Sequence, residues 1–197
     1  MGRVVVVENV TLDGVMQAPG GADEDVRGGF PYGGWARPYA DRALAERTGL
    51  GAGAGEDGGL LLGRRTYEQF HGFWSTQTDG NPYTEVLNRR TKYVASRSRS
   101  EPLPWQNSTL LTGDAVTAVA GLRDDLGGDL VVLGSGELVR SLAAAGLVDA
   151  YTLSIHPLVL GTGMRLFAEG TDAYGELELV ASETTPAGVI IASYRPR

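Results

Sequence analysis

Cysteine is absent from the 197 residues, which excludes disulfides, thiol nucleophiles and cysteine–metal sites. Histidine is scarce: His71 and His156 stand 85 positions apart, which argues against a histidine-rich zinc site, so no metal is expected. No apolar run reaches the roughly 20 residues of a membrane-spanning helix. The chain enters Val4-Val5-Val6-Val7 with no basic stretch and no cleavage-site pattern, so a cytoplasmic protein that makes no membrane contact is expected. Positive charge is in deficit, 17 Lys and Arg against 24 Asp and Glu, a net charge of −7. Such a balance provides no basic surface for non-specific nucleic-acid binding. The arginines are nonetheless bunched, as Arg64 and Arg65, Arg89 and Arg90, Arg97 and Arg99. In an acidic chain this fits a local anion site; for any one pair a solvated face accounts for it equally well.

What remains is ordinary for a globular protein, 42% hydrophobic and 21% charged, and the length suits a single domain spanning residues 1–197. Residues 3–11 read as a buried strand of nearly continuous apolar character. Residues 13–35 are rich in Gly, Pro and Asp and carry no period; a loop this long is commonly functional, and its aromatics Phe30, Tyr32 and Trp35 suit either a pocket wall or core packing. A helix is expected from about Pro38 to Gly49, then a glycine-rich connection from Gly51 to Gly59. Strands follow at 60–63, 91–96, 108–112, 129–133 and 148–155, alternating with helices at 64–70, 82–90, 114–125 and 135–145. Thr112 or Asp114 is placed to cap the third of these helices. Segments 176–183 and 188–195, joined through Pro186-Ala187-Gly188, read as an antiparallel hairpin. The alternation predicts an α/β fold with a mostly parallel, mixed sheet and helices on both faces.

Two strand-to-helix junctions stand out: Leu60-Leu61-Leu62-Gly63-Arg64-Arg65-Thr66-Tyr67 and Val131-Val132-Leu133-Gly134-Ser135-Gly136-Glu137-Leu138. Each aims free backbone N–H groups and the positive end of a helix dipole at one point. Arg64, Arg65 and Thr66 add donors suited to phosphate, and an arginine there can take the 2′-phosphate that separates NADP from NAD. An ordinary turn with solvent-facing arginines is the alternative. Gly134-Ser135-Gly136 is not the Rossmann pattern, because the third glycine is missing. Thr91 to Ser98 has a similar form, a strand ending in Ser96 beside Arg97. If these strands are parallel, Gly63, Ser96 and Gly134 converge on one sheet edge. A dinucleotide is then the leading ligand.

The order Leu12-Asp13-Gly14, Leu-Gly-Arg-Arg-Thr-Tyr-Glu at 62–68 and Leu-Gly-Ser-Gly-Glu-Leu at 133–138 resembles the dihydrofolate reductase-like superfamily. The ending His156-Pro157-Leu158-Val159-Leu160-Gly161-Thr162-Gly163, with Leu166-Phe167 after it, resembles the reductase domain of the bifunctional deaminase-reductase of riboflavin biosynthesis, in its stand-alone form. The resemblance implies a three-layer α/β/α sandwich, NADPH as hydride donor, and a homodimer. Carried over position by position, Gly63, Arg64, Arg65 and Thr66 hold cofactor phosphates, with Ser96 and Arg97 at the 2′-phosphate end. Gly134, Ser135, Gly136, Glu137 and Leu138 pass beneath the pyrophosphate and nicotinamide. Asp13 through Ala18, including Met16 and Gln17, border the nicotinamide, and Leu160, Gly161 and Gly163 close the far wall.

The chain also departs from that pattern. A carboxylate on the first helix is expected in dihydrofolate reductases; Asp41 is the nearest candidate, although its flanking sequence is not a close match and a surface aspartate near a helix start explains it more readily. Asp13 is the second candidate acid, and Asp-Gly is also a plain turn signal. Trp35, with the rest of segment 19–35, is expected to shape the substrate side. His156, before Pro157 at a strand end, reads as structural. The resulting expectation is an NADPH-dependent reductase of a small pterin-like or pyrimidine-derived substrate of the 5-amino-6-ribosylaminouracil type. Dihydrofolate reduction and non-catalytic binding of NADP(H) or a folate-like ligand are the alternatives.

Overall fold

The computed structural model of the chain describes residues 1–40, 58–78, 80, 82–167 and 175–197. Asp41, most of the helix expected at 38–49 and most of the connection after it lie outside these residues; before them, Arg37–Tyr39 forms a 3-10 turn. Among the described residues there are eight strands: β1 (Val4–Thr11), β2 (Gly59–Gly63), β3 (Thr91–Ala95), β4 (Ser108–Leu111), β5 (Leu130–Leu133), β6 (Ala150–His156), β7 (Leu177–Thr184) and β8 (Ile190–Pro196). They form one mixed sheet in the order β4-β3-β2-β5-β1-β6-β8-β7. Four α-helices accompany it among the described residues: α1 (Arg64–Trp74), α2 (Pro82–Arg89), α3 (Ala115–Asp125) and α4 (Gly136–Ala144). The chain groups into two compact units, Met1–Val6 with Gly49–Asp149, and Val7–Thr48 with Ala150–Arg197.

The first unit is the parallel part. β2 pairs in parallel with β3 and β5, and β3 with β4. Leu60, Leu61 and Leu62 in β2 and Leu130 to Leu133 in β5 are all buried, the continuous apolar run of a strand covered on both faces. α1 packs on β2 and β3, and α4 packs on β2 through a face that buries Leu138, Val139 and Leu142. α1 continues one turn beyond the expected 70, to Trp74, where the Ser75 hydroxyl donates to the His71 carbonyl at 2.6 Å. α3 starts at Asp114, whose Oδ1 accepts the Thr117 N–H at 2.9 Å.

α2 is finished by a buried lysine. Lys92 Nζ donates to the carbonyls of Leu87, Asn88 and Arg90 at 2.9, 3.1 and 2.8 Å. The ammonium also lies 4.4 Å from the Trp105 ring centroid. These groups supply the acceptors that a buried cation requires.

The second unit is antiparallel, with β8 paired to both β6 and β7. The expected C-terminal hairpin is therefore present, with a register irregularity between Leu179 and Ala181. The long loop after β1 has a core of its own, in which Val15, Ala18, Phe30 and Trp35 pack together with Ala36, Leu158 and Leu160 against them. Gly163 closes over this cluster at φ +111°, where an added Cβ would lie 2.6 Å from the Phe30 ring and 2.9 Å from Val15. Only glycine fits there.

Candidate functional site

In the first unit the two glycine junctions are joined. The parallel registers place Gly63 beside Ala95 and Leu61 beside Val132, so β2, β3 and β5 end at one sheet edge, where Gly63, Ser96 and Gly134 follow. The Gly63 N–H donates to Ser135 Oγ at 2.9 Å, and the Ser135 N–H donates to Thr66 Oγ1 at 3.0 Å. Ser135 Oγ in turn donates to the Leu133 carbonyl at 3.0 Å. Gly134 has φ +56°, and an added Cβ would meet Thr66 at 3.0 Å. Thr66 and Ser135 thus spend their hydroxyls on fixing the two turns.

The helix starts differ in a way that bears on ligands. α3 carries its Asp114 cap, whereas neither α1 nor α4 has a side-chain cap. Their first-turn N–H groups retain the donor capacity that an anion satisfies. Arg64 pairs with Glu68 at 3.0 Å, and Arg65 reaches Glu137 at 3.3 Å, tying α1 to α4. Ser96 Oγ accepts the N–H groups of Ser98 and Arg99 at 3.2 and 3.0 Å, which curls the segment after β3. Arg97 is exposed, while Leu138 belongs to the buried face of α4 and Gly136 opens that helix.

In the second unit, the Leu12–Ala18 motif meets the His156–Phe167 segment. Val15 bridges Arg165, and the Met16 N–H donates to the Met164 carbonyl at 2.8 Å. Asp13 is the clasp of this meeting. Its Oδ1 accepts the Thr11 hydroxyl at 2.6 Å and the Leu160 N–H at 3.2 Å, and its Oδ2 accepts the Gly161 N–H at 2.8 Å. Arg165 Nη2 lies 3.6 Å from the same carboxylate. The Thr11 hydroxyl and these backbone N–H groups hold Asp13 at a pKa of about 2. At neutral pH it has no proton to give.

Gln17 is buried with its amide fully used: Nε2 donates to the carbonyls of Asp25 and Arg27, and Oε1 accepts the Met164 N–H at 2.9 Å. Trp35 Nε1 donates to the Gln17 carbonyl at 2.7 Å. Met16 is buried, and Leu160 is half-buried against the Val15–Trp35 cluster. His156 is fully buried, with Nε2 3.0 Å from Asn9 Oδ1 and its ring edge-on to Trp35 and Tyr39. Burial pulls its pKa down to about 4, so the ring is neutral at neutral pH.

Glu8 escaped sequence reasoning. On the inward side of β1 with Val4, Val6 and Val10 it is 5% exposed, and its Oε1 has no hydrogen-bond partner among the described residues. Burial, with the charge of Glu24 adding to it, pushes the Glu8 carboxyl well above the usual range and favours its protonated form. A lone charge in an alternating strand was the available signal. Among the described residues no group of three or more metal-ligating side chains stands together, and no helix is long and apolar enough to cross a membrane.

Comparison with known proteins agrees with this architecture. The RibD C-terminal domain family matches residues 3–191. The uncharacterized protein YyaP of Bacillus subtilis (strain 168) is 29% identical over 139 residues, 68% of this chain and 72% of YyaP. Among solved structures, a pyrimidine reductase-like protein from Corynebacterium diphtheriae has a TM-score of 0.64 at 14% identity, covering 100% of this chain and 92% of that one. Dihydrofolate reductase from Enterococcus faecalis, complexed with NADP(H), has a TM-score of 0.60 at 16% identity, covering 100% and 97%. The chain belongs to the RibD C-terminal domain family and carries the dihydrofolate reductase-like fold of these reductase neighbours.

Proposed function

We propose that the protein is an NADPH-dependent reductase of a small pterin-like or pyrimidine-derived substrate. The observation that carries this reading is the joined pair of uncapped helix starts beside Arg64 and Arg65. Backbone N–H groups of Arg64, Arg65 and Thr66 on one side, and of Gly136, Glu137 and Leu138 on the other, suit a pyrophosphate. Gly63, Gly134 and Ser135 leave that edge free of bulky side chains. Arg64, Ser96 and Arg97 would take the 2′-phosphate, the group that distinguishes NADPH from NADH.

Bound NADPH would supply a hydride to an electrophilic C=N or C=O carbon of the substrate. The chain's own contribution is orientation and exclusion of competing chemistry. Met16 and Leu160 are proposed to present apolar surface to the reacting groups. Asp13, Gln17 and Trp35 are proposed as positioning residues, because their polar atoms are committed to the loop that carries Met16. With Asp13 ionised, the balancing proton at the substrate nitrogen or oxygen would come from water or from Asp41. Asp41 stays a candidate acid, and a homodimer is part of the same proposal.

NADPH oxidation measured against a panel of pterins and aminouracils tests the reading. Turnover with at least one panel member is expected. Tight NADPH binding without turnover on any member supports the alternative, a non-catalytic NADP(H)-binding protein.

A further inference from the structure

We propose that Arg99 is a further ligand of the phosphate that distinguishes NADPH from NADH, and that Glu68 is the internal anion this phosphate displaces. The inference rests on the cofactor reading above and adds two residues to it. Arg64 and Arg99 converge on one carboxylate: Arg64 Nη1 lies 3.0 Å from Glu68 Oε2, while Arg99 Nε and Nη2 lie 2.8 and 2.6 Å from Glu68 Oε1. The two guanidiniums come from different elements, the first turn of α1 and the turn after β3. They are nonetheless already gathered around a single anionic group at the sheet edge where β2 and β3 end.

The backbone explains why Arg99 arrives there. Ser96 Oγ accepts the N–H groups of Ser98 and Arg99, which folds the segment back so that Arg99, two positions after the exposed Arg97, reaches α1. A phosphate presents the same acceptor oxygens as a carboxylate, with more of them and more charge, and guanidinium forks match it better. Two guanidiniums against one carboxylate leave a surplus positive charge. Glu68, about one-third exposed and four residues along the helix from Arg64, is able to swing towards water when a stronger anion arrives. A dinucleotide lacking the extra phosphate has nothing to exchange for Glu68, and so the carboxylate sets the preference.

Calorimetric titration of the intact protein with NADP⁺ and NAD⁺ tests this, with each variant's thermal unfolding checked first. Arg99→Ala is expected to weaken NADP⁺ about tenfold and leave NAD⁺ within about twofold. Arg99→Lys, which keeps the charge and loses the fork, is expected to fall between. Glu68→Gln removes the competing charge and is expected to strengthen NADP⁺ selectively. Equal changes for both dinucleotides in Arg99→Ala, no change in either, or a weaker NADP⁺ in Glu68→Gln overturns the proposal. Arg64→Ala separates the two readings. If it loses NADP⁺ preference while Arg99→Ala does not, only the roles of Arg99 and Glu68 fail. If Arg64→Ala also leaves the preference intact, the phosphate reading of this edge fails with them.

Discussion

Glu8 and Asp13 lie within six positions on the same stretch of chain, and their surroundings drive their acidities apart. Asp13 accepts a hydroxyl and two backbone N–H groups and stays charged. Glu8, on the buried side of β1 with Val4, Val6 and Val10, has its carboxyl raised well above the ordinary range by burial. The folded-state pKa of Glu8 is above its unfolded value, so its linkage disfavours the fold progressively as pH rises from the unfolded value towards the folded one. Glu8→Gln mimics the protonated carboxyl and removes that dependence. Thermal unfolding from pH 4 to 8 is expected to show the variant gaining stability relative to the parent as pH rises; a constant difference contradicts the assignment. His156 acts in the opposite direction: its folded pKa of about 4 lies below the ordinary 6.5, so stability is lost as pH falls between them. Asp-Gly, Trp35 and the isolated Glu8 were visible as residue types. Their partners were not, because Leu160, Gly161, Met164 and Asp25 are distant in sequence or hidden in an aperiodic loop.

At the scale of elements, most of the strands and helices were legible because their signals are local. β2 and β5 are short apolar runs ended by glycine, and α3 carries an aspartate where a cap belongs. The union of the two junctions through Ser135 and Thr66 depends on β2 lying beside β5, which no local pattern encodes. Gly63 offers a direct test. Its φ of −72° suits any residue, and an added Cβ would make only ordinary contact with Ser135 at 3.5 Å. Gly63→Asp is therefore expected to cap α1 and preserve or raise the melting temperature while weakening NADPH at least about tenfold, since its carboxylate would take the N–H groups that the proposed function gives to a cofactor phosphate. Unchanged NADPH affinity in a folded variant contradicts the use of that helix start. Asp114→Ala is the control: it removes the cap of α3, is expected to lower the melting temperature by roughly 2–4 °C, and leaves NADPH affinity intact. A shift in affinity there would show that helix stability, rather than the anion site, is being measured.

For the whole molecule, the family was readable from motifs in the right order along nearly all of the chain, and its match to residues 3–191 agrees. The substrate was not readable, because a fold hosts many chemistries and the long loop after β1 carries no period from which its partners could be read. The most direct measurement is a single turnover with NADPH deuterated at the transferring C4 position, followed by mass spectrometry of the reduced panel substrate. One deuterium on the product carbon is the expected result, with its loss from the nicotinamide. A folded protein that binds NADPH yet transfers no label to any pterin or aminouracil contradicts the reductase reading.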